Sequence, residues 1–401
     1  MRILAFDIET NGWADSCDKI GLAGGIDVET GEAHEFQPWK GEHEEDRFRE
    51  FAKTVDLWVG HNALSYDGPV LNRLLGPVVD LTRVVDTLII SRTVKYDRYT
   101  PPGCKSGHSL KAHGIRLGIS KGDFNSFDVY SSEMRDYWRQ DLAVQVALYN
   151  DFKRLIWDKD WKKAFRVEHD IQISLDQQTR YGFDFDIDKA RELLESVHLQ
   201  MSALEAEIQE DYPPKLELVK ILDYKIKKDG AEGKFVTRNK ELYPLTKVEG
   251  DKLNCYDYVA FNPGSPQDRI DKLWEAGWKP YEKTKTHQQF SRTKPGDDWG
   301  KTLSMSQEFW QAKKDHFDVY GWTCSEDNLA TLPAKAPAAA RKLAQWLTLE
   351  GRRSSLVEWI GQVKDDGRIH GNVMHIGAWT GRMAHNNPNT ANISSVWPEK
   401  K

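Results

Sequence analysis

The sequence of 401 residues has few cysteines, no long apolar run and no large excess of charge of one sign. Its four cysteines stand far apart, without the paired spacing of a zinc site or a disulfide framework, so we interpret them as free thiols of a cytosolic protein. No apolar run reaches the roughly 18 residues that a membrane-spanning helix needs, and no secretory signal is visible. The net charge of −6 argues against a protein that coats nucleic acid, although it is compatible with a local basic groove.

The length and the order of patterns predict more than one domain. A chain of 401 residues is too long for one ordinary domain and suits two or three. Residues 1 to about 150 alternate strand-like and helix-like stretches, which predicts an α/β domain around a mixed sheet. Further along, the patterns predict two long helices around a turn at Gly182, β-like pieces of an inserted subdomain at 213–260, and a polar loop at 285–310.

The first strand carries the first chemical signal, in the stretch MRILAFDIETNGW. Side chains two residues apart on a strand point to the same side of the sheet, so Asp7 and Glu9 stand together while Phe6 and Ile8 are buried opposite them. Two neighbouring carboxylates repel each other and are costly to bury unpaired, so a divalent cation is their natural partner. The same short pattern can also mark a strand that simply runs out into solvent.

Two further stretches supply oxygen ligands and a hydroxyl group. DLWVGHNALSYDGPVL places Asn62 and Asp67 after an apolar strand, and MRDYWRQDLAVQVAL places Tyr137 and Asp141 four residues apart on one helix face. Singly, Asp67 could be a helix cap, Asp141 could form an exposed ion pair and Tyr137 could belong to the core. Together, four carboxylates suffice to hold two Mg²⁺ ions, and a tyrosine hydroxyl beside them can orient an attacking water.

The motifs FDIET, HNALSYDGPVL and YWRQD resemble the three exonuclease motifs of the proofreading domain in family A DNA polymerases, of the type with four acids and a tyrosine. VVDTLIISR and HSLKAHGIRLGISKGDF are similar to the branch from short-tailed bacteriophages. The resemblance implies an RNase H-like fold, two divalent metal ions (Mg²⁺ or Mn²⁺), and 3′→5′ removal of nucleotides from a primer end in the cytoplasm of a bacterial host. It implies metal ligation by Asp7, Glu9, Asp67 and Asp141, with Tyr137 positioning the nucleophilic water.

The resemblance extends beyond the nuclease motifs. VEHDIQISLDQQTRYGFDFD, FNPGSPQDRIDKLWEAGW and GRIHGNVMHIGAWTGRMAHNNPNTANI resemble the segment after the exonuclease domain, the thumb and the start of the palm. The implied parts are an exonuclease domain at 1–155, connecting and thumb helices at 156–212, an inserted subdomain at 213–260, the continued, mainly helical thumb at 261–365 and an incomplete palm at 366–401. The implied DNA contacts are Thr10, Asn62, His108, Arg382 and Asn389. For the last two, a loop cap and an ordinary turn are the alternatives.

The polymerase motifs of this family, with the catalytic aspartates of the palm and the fingers helix, do not follow Ile393, where only SSVWPEKK remains. We therefore expect that this chain does not polymerise by itself. A second polypeptide with palm and fingers is the favoured partner, because the start of a palm would otherwise leave apolar surface uncovered, including Trp379 and Trp397. A free-standing nuclease with a vestigial tail and a truncated chain are the alternatives.

The inserted segment has three interpretations. In one phage branch of the family, a loop at this place binds the host processivity factor thioredoxin. Alternatively, its lysines lie over duplex phosphates. Because acidic residues between the lysines keep the segment near neutral, a merely solvated face is the third interpretation. The lysines are Lys215, Lys220, Lys225, Lys227, Lys228 and Lys234.

Two other classes of function share part of this pattern. An RNA-trimming nuclease of the RNase D type has the acids and the tyrosine but lacks the thumb and the start of the palm, so residues 262–393 argue against it. A non-catalytic scaffold subunit of a polymerase has no use for a costly cluster of negative charge. The intact set of four acids therefore argues against a scaffold.

Overall fold

The computed structural model describes residues 1–119, 124, 126–127, 129–227, 230–378 and 380–392. Several residues named above lie outside this set: residues 120–123 of the HSLKAHGIRLGISKGDF stretch, Lys228, Trp379, Ile393 and Trp397. The chain folds into two compact units, one of Met1–Phe185 with Gln362–Lys401 and one of Asp186–Gly361. Among the described residues, no helix is long and apolar enough to cross a membrane.

Strands and helices alternate through residues 1 to about 150, as predicted. Over both units together, the strands of the described residues are β1 (Ile3–Thr10), β2 (Ile20–Asp27), β3 (Ala33–Phe36), β4 (Leu57–Gly60), β5 (Val84–Asp86), β6 (Phe183–Asp184), β7 (Lys215–Asp223), β8 (Leu245–Glu249), β9 (Lys252–Val259), β10 (Arg368–Ile369), β11 (Asn372–Met374) and β12 (Ala384–Asn386). The helices are α1 (Glu42–Ala52), α2 (Asp67–Leu75), α3 (Thr87–Val94), α4 (Leu110–Leu117), α5 (Ser132–Ile156), α6 (Lys159–Tyr181), α7 (Ile187–Asp211), α8 (Lys234–Leu242), α9 (Pro266–Glu275), α10 (Lys285–Phe290), α11 (Gln307–Tyr320), α12 (Glu326–Leu329) and α13 (Ala338–Gln362).

The first unit is built around a mixed sheet of five strands in the order β3-β2-β1-β4-β5. The strands β1, β2 and β3 pair antiparallel, whereas β1, β4 and β5 run parallel. The mixed sheet predicted from the sequence is therefore confirmed, with β1 at its centre. The strand β1 pairs with β4 over Ile3–Ala5 and with β2 as far as Thr10, so the end that carries Asp7 and Glu9 is held by the ladder to β2.

The two faces of β1 pack against different helices. Leu4, Phe6 and Ile8 belong to a core cluster that includes Phe48 of α1 and Val70 of α2. On the other face, Ile3 packs with Tyr149 of α5. Because successive side chains of a strand alternate between faces, the odd-numbered residues at the end of β1 also lie on the α5 side.

The second unit contains a helical core and an inserted sheet. Residues of α7, α9 and α13 share one hydrophobic cluster, with Ile208, Leu273 and Leu343 fully buried. The inserted segment forms a three-stranded antiparallel sheet in the order β7-β9-β8. The helix α8 packs on this sheet through Val236, which contacts the cluster of Leu253 and Cys255.

The prediction of a polar loop at 285–310 is wrong in part. Residues Lys285–Phe290 form α10, and the segment that follows folds back on it. The ring of Phe290 lies 5.1 Å from that of Trp299 and 5.1 Å from that of Phe317. These aromatic side chains form a local core, but turns separate them in the sequence, so they leave no helical periodicity to detect.

The last part of the chain returns to the first unit. The strand β10 pairs antiparallel with β6, and β11 and β12 form a hairpin. The Tyr96 hydroxyl group donates to the carbonyl oxygen of Gly377 (3.0 Å), and the Thr179 hydroxyl group donates to that of Gly371 (3.2 Å). The functional division into nuclease, thumb, insertion and palm stays a prediction.

Candidate active site

Three of the four predicted acids meet where β1 faces α5. Candidate ligand oxygens of Asp7, Glu9 and Asp141 all lie within 4.8 Å of one another. Glu9 and Asp141 are buried and Asp7 is half-buried. Carboxylates this close repel each other in a low dielectric, so a cation or bound protons must compensate their charge. The set offers only oxygen atoms, which are the ligands that Mg²⁺ and Mn²⁺ prefer.

One face of α5 holds Asp7 in position. Trp138 Nε1 donates to the backbone oxygen of Asp7 (3.0 Å), and Gln145 Nε2 donates to Asp7 Oδ1 (3.1 Å). Trp138, Asp141 and Gln145 follow one another at intervals of three and four residues, so they share one helix face. Gln145 was not predicted as a site residue; an amide one turn after Asp141 was the available signal.

A cleft of about 200 Å³ opens above this cluster. It contains all five residues predicted to be catalytic, and Asn62 is also at its wall. Beyond these, the cleft is lined by Ile8, His61, Tyr66 and Phe127. The structure therefore gathers residues from three separate sequence motifs around one space large enough for a nucleotide's reacting groups.

Asp67 lies in the same cleft but outside the group of three carboxylates. It is the first residue of α2, and its Oδ1 accepts a hydrogen bond from the backbone amide of Ile8 (3.1 Å). Burial, together with the neighbouring carboxylates of Asp86 and Asp141, raises the pKa of Asp67 to about 7 despite the lowering effect of the hydrogen bond from the Ile8 amide. In the absence of a cation, this carboxyl group is therefore partly protonated near neutral pH.

Asp86 organises the turn that carries Asn62. Its carboxylate accepts from the backbone amides of Asn62 (2.9 Å) and Leu64 (3.1 Å), and it also caps α3. The backbone amide of Asp86 donates to Nε2 of the buried His169 (2.8 Å). Asn62 itself has a φ of 68°, a left-handed conformation that asparagine tolerates better than most residues. The exposed amide side chain of Asn62 is thereby presented at the cleft.

A second hydrogen-bond group shapes the loop after β1. The Tyr66 hydroxyl group donates to the carbonyl oxygen of Gly12 (2.7 Å) and also hydrogen-bonds with Thr10 Oγ1. Thr10 is buried and is not part of the cleft lining. Trp13, the residue that follows Gly12 in this loop, is 84% exposed. The sequence analysis did not single out Trp13. The available signal was an aromatic residue four positions after Glu9, a predicted metal ligand.

The structure does not bring His108 to the cleft. Its Nε2 donates to the carbonyl oxygen of Tyr96 (2.8 Å), and its Nδ1 then accepts from the Ser91 hydroxyl group (2.8 Å). Ser91 Oγ in turn accepts from Nε2 of His113 (2.9 Å). Burial lowers the pKa of both histidines, that of His113 to about 3. Because both ring nitrogens of His108 bind protein atoms, we leave it out of the DNA contacts proposed below.

The remaining predicted contacts lie on the surface, away from the cleft lining. Arg382 is exposed in the loop of the β11–β12 hairpin, and its carbonyl oxygen accepts from the amide of Gly377 (2.9 Å). Asn389 is exposed, and its Oδ1 accepts from the amide of Ala391 (3.2 Å). In the second unit, the predicted lysines within the described residues are all exposed: Lys215, Lys220, Lys225, Lys227 and Lys234.

Comparison with known proteins defines the class of the first unit. Residues 4–120 match the family model of the RNase H superfamily. The domain thus has the RNase H-like fold that the motifs implied. The chain is also similar in fold to part of the POL domain of Pol1 from M. smegmatis, which was solved in complex with a DNA primer-template and dNTP. The TM-score is 0.54, with 16% identity over 95% of this chain and 50% of that one.

The chain is also similar in sequence to two phage DNA polymerases. It is 27% identical to the DNA-directed DNA polymerase of Enterobacteria phage T3 and 26% identical to that of Escherichia phage T7, in each case over 98% of this chain. It spans 63% of the length of each of these relatives. These matches confirm the resemblance to phage DNA polymerases that the motifs indicated.

Proposed function

We propose that the first unit is a metal-dependent 3′→5′ exonuclease that removes nucleotides from the 3′ end of DNA. The observation that carries this proposal is the cluster of Asp7, Glu9 and Asp141 with Tyr137 in one cleft of an RNase H-like domain. DNA is the proposed substrate because the relatives over 98% of the chain are DNA polymerases. In a polymerase, this activity would serve proofreading.

Two divalent ions, Mg²⁺ or Mn²⁺, fit the donor set, with Asp7, Glu9 and Asp141 as ligands and Asp67 as the fourth proposed one. When bound, such ions activate a water and stabilise the attacking and leaving oxygens of a phosphodiester. Bound cations would also draw the pKa of Asp67 back down, because they favour its ionised form. The raised pKa of Asp67 thus supports a site that is completed by positive charge.

The other side chains have separate tasks in this proposal. The hydroxyl group of Tyr137, one turn of α5 before Asp141, would orient the attacking water by a hydrogen bond. Gln145 and Trp138 would keep Asp7 in its position. Asn62 would contact the terminal nucleotide, and the exposed indole of Trp13 would stack on a base of the single strand, since every base offers a flat aromatic face.

The wider assembly is a further part of the proposal. A second polypeptide with palm and fingers, a processivity factor such as thioredoxin on the 213–260 insertion, and DNA contacts by Arg382 and Asn389 all stay predictions. A tagged pull-down from the native host tests the first two, when the eluate is assayed for primer extension with dNTPs. The absence of any co-purified protein that restores extension would contradict the two-chain model.

The nuclease is tested on a 5′-labelled, mismatched primer-template, with Mg²⁺ and with EDTA. We expect stepwise shortening from the 3′ end that EDTA abolishes. The double substitution Asp7→Ala with Glu9→Ala is expected to reduce activity to the EDTA level. Asp136→Ala, which removes an exposed acid beside Tyr137, is the matched control and is expected to stay active. Shortening that survives the double substitution would refute the metal site, and shortening of RNA primers alone would refute the DNA substrate.

A further inference from the structure

A pocket of about 600 Å³ lies at the edge of the sheet in the first unit. None of the residues that line it belongs to the carboxylate cluster. Its wall is formed by Val84 and Val85 of β5, by Ile90 of α3, and by Phe165 and Ile173 of α6. It carries none of the predicted catalytic residues. The pocket is therefore separate in chemistry from the cleft described above, and its almost entirely apolar wall suits a nonpolar group.

The rim of the pocket exposes large apolar side chains. Trp157, at the end of α5, is 51% exposed, and Val167 of α6 is 54% exposed. The indole of Trp157 is held by a hydrogen bond from its Nε1 to the Tyr149 hydroxyl group (3.3 Å). Protein interiors are normally close-packed, and an apolar hollow with an apolar rim is typical of a binding surface. Filling it with a bulky side chain would remove apolar area of both molecules from water.

The charged groups at the rim of the pocket indicate the sign of the charge that its occupant carries. Lys162, Lys163 and Arg166 of α6 all line the pocket, against one acid, Asp170. Arg166 Nε pairs with Asp170 Oδ2 (2.8 Å), which offsets both of those charges. Among the described residues, no carboxylate lies within ion-pair distance of Lys162 or Lys163. Two exposed ammonium groups with no ion-pair partner among the described residues therefore lie beside the apolar pocket, and they favour an acidic neighbour.

The backbone at the sheet edge offers little for pairing with an added strand. The edge strand β5 has only three residues, Val84–Asp86, and the amide of Asp86 already donates to His169 Nε2 (2.8 Å). Just before the strand, the carbonyl oxygen of Thr82 accepts from Arg166 Nη1 (3.3 Å). A short edge with a bonded amide is a poor template for a ladder, so insertion of side chains into the pocket is the favoured mode of binding.

We propose that this pocket is a docking site for an acidic peptide segment of a partner protein, which inserts a bulky apolar side chain between β5 and α6 and places its carboxylates against Lys162 and Lys163. The argument rests on the complementarity of charge and polarity at the rim. It goes beyond the proposed nuclease activity and does not depend on it, because it uses none of the residues of the cleft.

The probes are three fluorescein-labelled hexapeptides, followed by fluorescence anisotropy on the full chain. The first has Leu-Phe between two pairs of aspartates, the second has Ser-Gly between the same aspartates, and the third has Leu-Phe between two pairs of lysines. We expect only the first to bind, with an affinity that falls as salt is raised. Equal binding of the first and second peptides, or of the first and third, would overturn the proposal.

Two variants and one control locate the binding site. Val167→Glu places a carboxylate at the mouth and is expected to weaken the first peptide about tenfold or more. Leu199→Glu, on α7, changes a similarly exposed side chain (68%) and is expected to have no effect. The double substitution Lys162→Glu with Lys163→Glu changes two exposed side chains at the rim. It is expected to weaken binding of the first peptide and to allow binding of the third.

Other occupants would give different results, each of which refutes the proposal. A second copy of this chain would appear as a dimer in sedimentation that Val167→Glu dissociates. A small apolar molecule would appear as binding of the dye ANS that the first peptide does not displace. Unchanged affinity for the first peptide in both Val167→Glu and the double lysine variant would place its binding elsewhere. Matching circular dichroism spectra and Tm values keep each comparison independent of folding.

Discussion

Replacing Asp67 by asparagine is expected to stabilise the metal-free protein at high pH. Burial, with the carboxylates of Asp86 and Asp141 nearby, raises the pKa of Asp67 to about 7 in the folded chain from its ordinary value of 3.8. Between these two values, the folded protein holds a proton that the unfolded chain has released. The free energy of unfolding of the wild-type protein therefore falls as the pH rises through this range.

The size of the effect follows from the pKa difference. A shift from 3.8 to about 7 costs about 4 kcal/mol of stability once the pH is above both values. Between pH 5 and pH 8, the wild-type protein is expected to lose about 3 kcal/mol from this group. Asp67→Asn keeps a side-chain oxygen for the backbone amide of Ile8 but carries no charge, so it removes this pH dependence.

The assay is urea unfolding in EDTA at pH 5 and pH 8, with the transition followed by tryptophan fluorescence. Asp67→Asn should be more stable than the wild type at pH 8 and closer to it at pH 5. Asp136→Asn, an exposed acid on α5, is the control and should follow the wild type. Adding Mg²⁺ at pH 8 should stabilise the wild type more than Asp67→Asn. The same pH dependence in all three proteins would refute the reasoning about Asp67.

Three further predictions concern the cleft. Gln145→Leu removes the amide that holds Asp7 Oδ1, so we expect a kcat about 10- to 100-fold lower on single-stranded DNA. The affinity for DNA, measured by fluorescence anisotropy, should not change. An unaltered kcat would contradict the role of Gln145. Tyr137→Phe keeps the ring but removes the hydroxyl group, and a single-turnover assay should show about a 10²-fold slower cleavage step; full activity would exclude Tyr137 from positioning the water. Trp13→Ala removes the exposed indole, and the KM for single-stranded DNA should rise about 5- to 100-fold at constant kcat, because stacking on one base is worth about 1–3 kcal/mol. Trp39→Ala, which removes another exposed indole, is the control, and a similar change in KM for both variants would argue against stacking at Trp13.

The acids and the tyrosine could be predicted because local geometry alone relates them within each motif. Alternation along β1 puts Asp7 and Glu9 on one side, and the helical spacing of Tyr137 and Asp141 puts both on one face. These relations hold in any fold that contains the strand and the helix. For His108, local geometry was no guide: its motif resembles the family, whereas its ring nitrogens hydrogen-bond to Tyr96 and Ser91 in the fold, and a contact with DNA stays a prediction.

The residues that were missed depend on contacts between distant segments. Gln145 reaches Asp7 across 138 positions of the chain, and Asp86 reaches the turn of Asn62 across 24. A single glutamine or aspartate in a helix or a strand end has many roles, and only its partner shows which one applies. The aromatic core around Phe290 was missed for the same reason, since turns hide the periodicity of its members.

By itself, the sequence determined the alternation of strands and helices in residues 1 to about 150, the shared side of Asp7 and Glu9 on their strand and of Tyr137 and Asp141 on their helix, and the class of chemistry that oxygen ligands support. Only the tertiary structure decided that Asp7, Glu9 and Asp141 converge within 4.8 Å, that Asp67 is buried beside them with a pKa near 7, and that an apolar pocket with a basic rim remains at the edge of β5. The physical reason is the range of the forces involved. Backbone geometry acts over a few residues, whereas burial and electrostatic coupling depend on which segments the fold brings together.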